Sequence, residues 1–228
     1  MKRFLNMLLV LLITSAVFAQ QDAVKFLGIP VDGTVSEMMA KLKAKGFRDA
    51  NFGIANQLEG RFNDADVFVI PMENNSKVYR IAVGDKNSCD ETNIRIRFNS
   101  LCSQFLNNQK YFHPEEDSTY FISDTEDISY EMTVHHKRYQ AAFYQNNTDT
   151  TYMQRCLIEA ALSKYPKEQV PNLSNKQWED LLPLSVERQM RDLQQRVVWF
   201  MIDRNPYGLY TIQMFYDNAN NMSNGDDL

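Results

Sequence analysis

The most regular alternation of apolar and polar positions opens in GTVSEMMAKLKAKGF, residues 33–47. Val35, Met38, Met39 and Leu42 fall at i, i+3, i+4 and i+7, the single stripe of an amphipathic helix. Thr34 and Glu37 have capping-box spacing, and Gly46 followed by Phe47 suits a left-handed helix end. The pattern predicts a helix from Val35 to Lys45. The period then shortens to two. NFGIANQLEGRF (51–62) reads as a glycine-broken strand, DVFVIPM (66–72) as a compact one, and KVYRIAVGD (77–85) as an alternating one. The ENNS turn between the last two joins them as an antiparallel meander.

Helical spacing returns with Ile94, Phe98, Leu101 and Phe105, predicting a helix over Asp90 to Leu106. Ile128, Tyr130, Met132 and Val134 then alternate with polar residues, as do Tyr139, Ala141 and Phe143 after His135-His136-Lys137. This reads as a hairpin. A third helix runs from about Thr151 to Lys164 and stops at Pro166. Residues 166–185 contain Pro166, Pro171 and Pro183 and read as a loop with a short helix around Trp178, before a last helix over Val186 to Leu193. RVVWFMID and GLYTIQMFY then face each other across RNPY as a final hairpin.

Tight turns rather than helical crossovers join the strands. The expected fold class is therefore α+β, an antiparallel sheet of meander plus hairpins with helices packed on one face. Residues 20–216 read as one domain, with two similar halves at about 24–112 and 119–216 as an alternative, although no repeat of fixed period is visible. Residues 217–228 are polar and without apolar period, so they read as the exit from the last strand and a flexible tail. The tail fails as a calcium loop of the EF type. Counted from Asp217, position 3 is Ala219 and position 6 is Met222.

The N-terminal segment changes the picture of where the protein goes. Lys2 and Arg3 precede an apolar run from Met7 to Ile13, closed by Ala16-Val17-Phe18-Ala19 with the small residues a signal peptidase accepts. Residues 1–19 read as a signal peptide, placing the mature chain in the periplasm or outside the cell. The run is too short for a bilayer core of roughly 30 Å, and no transmembrane segment is expected. The chain carries a net charge of −5 without a lysine and arginine cluster, which argues against nucleic acid as a partner. Export permits a disulfide among Cys89, Cys102 and Cys156, but their odd number leaves at least one thiol over, and Cys102 and Cys156 lie in apolar helical patterns.

Candidate chemistry is sparse. G-x-S-x-G, H-E-x-x-H and the phosphate-loop motif are all absent from the sequence. His113, His135 and His136 are the histidines, and the adjacent pair reads as a solvated turn. DTED (124–127) and PEED (114–117) are acidic clusters of the kind common in solvated loops. No cofactor or metal is expected, and no residue is assigned a catalytic role. Aromatic residues are dense, and Tyr111, Phe112, Tyr120, Tyr139 and Tyr144 are the candidate ligand-binding rings. Core and cross-strand packing is the competing role for the same side chains. The functional expectation is a non-enzymatic binding or interaction module with a protein, peptide or glycan partner. The alternatives are a structural envelope component acting through oligomerisation and a hydrolase with a non-local carboxylate or Cys–His site.

FLGIPVDGTVSEMMAKLKAKGF (26–47), LEGRF (58–62) and the ending YDNANNMSNGDDL resemble a group of small exported Bacteroidetes proteins with a G-I-P-x-D-G-T opening, a K-L-x-x-K-G-F helix end and a Y-D-N-x-x-N ending. The resemblance lies at the two ends, and residues 86–185 carry no shared motif. It implies export and topology and assigns no activity. GTVSEMMAKLKAKG is loosely similar to a helix of the outer-membrane assembly lipoproteins and β-lactamase inhibitor proteins, which pack helices on an antiparallel sheet. With a Bacteroidetes origin, Asp117-Ser118-Thr119 and Asp149-Thr150-Thr151 are similar to the D-S/T-x sites of O-glycosylation.

Overall fold

A computed structural model of the chain describes residues 23–51, 53–113, 120–146 and 150–223. The signal-peptide segment, the PEED cluster, Asp117-Ser118-Thr119 and residues 224–228 lie outside the described residues, as does Asp149. In chain order the elements are β1 (Lys25–Phe26), β2 (Ile29–Pro30), α1 (Val35–Ala44), β3 (Arg48–Asp49), β4 (Leu58–Phe62), β5 (Ala65–Asn74) and β6 (Lys77–Asp85). Next come α2 (Glu91–Leu106), β7 (Tyr111–Phe112), α3 (Ile128–Val134) and β8 (Gln140–Gln145). They are followed by α4 (Thr150–Lys164), α5 (Asn175–Glu179), α6 (Leu182–Gln194), β9 (Arg196–Arg204) and β10 (Tyr210–Asn218). The fold is α+β. Among the described residues no helix is long and apolar enough to cross a membrane.

The chain separates into two compact units. One holds the described part of Asn147–Gln194, and the other comprises Ala23–Asn146 and the chain from Gln195 onward. This division does not coincide with the two-halves alternative, because the first unit is an insertion between β8 and β9.

In the larger unit β3-β4-β5-β6-β10-β9-β8-β7 form one antiparallel sheet of eight strands, and β1 and β2 form a separate two-stranded sheet. The meander β4–β6 reads directly from sequence. The step from β6 to β10 does not, since it pairs Val83 with Met214 and Ile81 with Tyr216. One face carries Val69, Ile81, Val83, Met214, Val198 and Phe200, and all are buried. The buried residues of α1 (Met38, Leu42), α2 (Ile94, Phe98, Leu101, Cys102, Phe105) and α3 (Ile128) join the same core. Phe200 stands at its centre, edge-on to Phe98 at 5.1 Å and stacked with Phe143 at 6.1 Å. Burying each such ring contributes about 2–3 kcal/mol.

Helix α1 forms as read, with Thr34 and Glu37 completing both bonds of the capping box. Three other readings are corrected. Residues 128–134 are helix, not a strand. Asp127 caps the helix by accepting from Tyr130 N at 2.8 Å, and the Glu91 carboxylate accepts from Ile128 N and Ser129 N. Satisfying these first-turn amides favours the helix, and only Ile128 of the alternating apolar set is buried. Strand β8 instead pairs with β9 and β7. Of residues 51–62 only Leu58–Phe62 extend as a strand.

The last strand also continues past Tyr216 through Asp217 and Asn218, which are buried rather than part of a tail. Asn218 Nδ2 donates to Val31 O at 2.9 Å. Asn221 Nδ2 reaches Asp32 Oδ1 and Val78 O, both at 2.9 Å, and Asn221 O accepts from Asn74 Nδ2 at 3.2 Å. The polar ending is thus a clasp on the segment that precedes α1.

The smaller unit packs α4 against α6 around Ala160, Ala161, Val170 and Leu181. The Tyr152 hydroxyl donates to Asp192 at 3.0 Å, and Arg188 pairs with Glu159 at 2.7 Å.

Candidate functional site

Side chains alternate across a strand, so the second face of the large sheet can be read from the registers. Ile70, Ala82, Phe215, Trp199 and Ala142 are successive cross-strand partners on β5, β6, β10, β9 and β8. Beside them runs a row of Met72, Arg80, Asp217, Val197, Tyr144 and Phe112. On the other side lie Glu59, Phe68, Gly84, Gln213, Met201 and Gln140. The buried residues of α1, α2 and α3 all pack on the opposite face. An antiparallel sheet with one covered face usually shows polar residues on the other. Here Ile70, Phe215, Trp199, Val197 and Met201 occupy those positions and are half-buried.

An ion pair sits within this apolar field. The Arg80 guanidinium holds Asp217 side-on, Nε to Oδ1 at 2.6 Å and Nη2 to Oδ2 at 2.8 Å, and Trp199 Nε1 donates to the same Oδ2 at 2.8 Å. A β-bulge lies next to the arginine. The register shifts between Met72 and Glu73, leaving Tyr79 as the extra residue on β6 just before Arg80. Phe215 and Trp199 stack at 4.3 Å, and the guanidinium carbon lies 4.9 Å from the Phe215 centroid and 5.6 Å from that of Trp199. The hydrogen bond to Asp217 raises the arginine pKa above its usual value, so the charge is permanent. A side-on contact uses one edge of the guanidinium and leaves the Nη1 end.

At the β3–β5 end the face becomes polar around a shallow depression of about 390 Å³ lined by Arg48, Glu59, Arg61, Asp66 and Lys86. Glu59 bridges Lys86 at 2.5 Å and Arg48 at 2.9 Å, and these donors, Lys86 first, lower its carboxyl pKa. A Cβ on Gly84 would lie 2.7 Å from Gln213 Oε1, so a larger residue there would displace the end of the glutamine side chain.

The five rings singled out from sequence divide between the two faces. Phe112 and Tyr144 are cross-strand partners on the face opposite α1, α2 and α3, and Phe112 is exposed. Tyr111 packs edge-on against Phe105 at 4.7 Å on the core side and accepts from Gln145 Nε2 at 3.2 Å. Tyr120 packs against the core, with its hydroxyl donating to Ala142 O at 3.3 Å. Tyr139 is buried and donates to Glu126 at 2.6 Å. The structure therefore brings two of the five together, and the centre of the face is built instead by Phe215, Trp199 and Arg80. The alternation of KVYRIAVGD and GLYTIQMFY carried a signal for them within each strand, but the pairing of β6 with β10 is not visible in either segment.

The cysteines are free thiols. Burial pushes the Cys102 thiol up to about 12 and also raises those of Cys156 and Cys89, which keeps them protonated near neutral pH. His135 contacts Glu131 at 2.9 Å and Tyr130 edge-on at 5.2 Å, and His136 adopts φ 54° at the end of α3. His113 lies between Tyr120 and Phe143. Among the described residues no group of three or more His, Cys, Asp or Glu side chains could hold a metal ion. In comparisons with known proteins, no protein-family model, curated protein or solved structure matches this chain.

Proposed function

We propose that the chain is an exported, non-enzymatic binding module that holds a macromolecular ligand on the face of its large sheet opposite α1, α2 and α3. The observation that carries this reading is the row Ile70–Ala82–Phe215–Trp199–Ala142, apolar where a solvated sheet face is ordinarily polar. Rings and aliphatic side chains on rigid strands give a large contact area at small entropic cost, the usual basis of a binding surface. The N-terminal signal-peptide pattern supports the exported setting.

The test is to probe the mature protein against immobilised random peptides and against a glycan array, in parallel with Phe215→Asp and Tyr207→Ser. Tyr207 is 89% exposed at the β9–β10 turn, away from the row, and serves as the control. Wild type and Tyr207→Ser are expected to retain the same binders. Phe215→Asp is expected to lose them by about tenfold or more, the scale of losing one well-buried contact. Absence of binders on both arrays, or undiminished binding by folded Phe215→Asp, overturns the reading.

A further inference from the structure

We propose that the free end of the Arg80 guanidinium is a receptor for a carboxylate on an extended polypeptide that lies across the sheet face opposite α1, α2 and α3, with apolar side chains flanking that carboxylate. This rests on the binding role of the face and adds the chemistry of its ligand. Arginine has five N–H donors. Asp217 takes one from Nε and one from Nη2, the side-on edge. The remaining end, formed by Nη1 and the second Nη2 hydrogen, has the two parallel donors of an end-on fork. That fork matches one further carboxylate.

The guanidinium is held as a recognition group would be. Asp217 fixes its plane, Trp199 Nε1 fixes Asp217, and Phe215 and Trp199 support it. Little entropy remains to be lost when a ligand binds such a group. Its side chain keeps 21% of its surface in solvent, whereas Asp217 keeps 8%, so the cation is the accessible partner of the pair.

The surroundings favour polypeptide over sugar. Met72 and Val197 flank the ion pair in its own row, and Ile70 lies in the row beside it. None of these three side chains offers a hydrogen-bond group to a crown of hydroxyls. They do suit aliphatic or aromatic side chains. The required ligand is therefore an acidic residue with apolar neighbours.

The experiment pans a phage library of random linear peptides on the mature protein. Enriched sequences are then synthesised in pairs, with each acidic residue as Glu or as Gln, and their affinities measured by fluorescence anisotropy. The expected result is enrichment of Asp or Glu beside apolar residues, with the Gln partner binding about tenfold or more weaker, the worth of a charge-assisted bond. Arg80→Gln is expected to bind both partners equally, and Arg80→Lys to recover only part of the preference because it lacks the fork.

Enriched peptides without acidic residues, or equal affinity of each pair for wild type, overturn the proposal. They leave the binding role of the face standing if Phe215→Asp still abolishes capture. Failure of any peptide to enrich, with binding of sodium polygalacturonate instead, also overturns it and assigns the face to acidic glycans. The Glu and Gln comparison needs only wild-type protein, so it decides the matter even if Arg80→Gln does not fold.

Discussion

Glu126 shows how a single residue links this fold to pH. Lys137 Nζ and the Tyr139 hydroxyl both donate to Glu126 Oε1, from the segment between α3 and β8. Together they hold the Glu126 carboxyl below its ordinary value of 4.5, with Lys137 the larger cause. In return the Tyr139 phenol is raised, by burial first and then by the carboxylate. A depressed carboxyl adds stability that is fully present above the unfolded pKa and is lost as pH falls through the folded one. Urea unfolding midpoints between about pH 7 and pH 3 should therefore hold level and then drop below about pH 4.5. In Glu126→Gln the midpoint at pH 7 should be lower and the acid-side drop shallower. An unchanged acid-side slope would mean that the carboxylate is not linked to folding.

At the scale of elements, the least expected device is the clasp formed by the end of β10. Asn221 closes two bonds onto the segment ahead of α1 and onto β6, and Asn218 closes a third that is buried. Asn221→Ala leaves Val78 O without this donor and should cost about 1–2 kcal/mol. Asn218→Ala, at a buried position, should cost about 1–3 kcal/mol. Both are read as shifts in the urea midpoint. The stretch DNANN had every mark of a hydrated ending, since polar residues without apolar period carry no packing signal. Its partners stand more than a hundred residues away, so no local pattern could reveal them. Helix α3 failed as a sequence reading for a related reason. Alternation over seven residues fits a strand, but its first-turn amides are capped by Glu91 from another helix.

The whole molecule is organised by the insertion of the smaller unit between two neighbouring strands. Tyr144 on β8 pairs with Val197 on β9, and Arg196 Nε donates to Gln145 O at 3.0 Å, so the chain leaves and re-enters the sheet at one place. Replacing residues 147–194 by a short Gly-Ser turn should therefore leave a folded sheet unit, with its Phe98–Phe143–Phe200 core intact. Circular dichroism and Trp199 emission close to those of the full chain would agree with this, and an unfolded product would refute it. The excised segment has a small core of Ala160, Ala161, Val170 and Leu181. At that size it should not hold its fold alone.

Local order was legible in the sequence because its causes are local. The α1 capping box, the helical periods of α2 and α4, the meander β4–β6 and the β9–β10 hairpin depend on residues within one turn or one loop of each other. These elements with tight connections determine the α+β class. The pairing of β6 with β10, the bulge before Arg80 and the capture of Asp217 by Arg80 and Trp199 belong to the tertiary structure alone. Each joins segments far apart along the chain, and a half-buried apolar position on a strand looks the same in sequence whether helices cover it or not. The face opposite these helices is therefore set by which strands became neighbours and which side α1, α2 and α3 chose to bury.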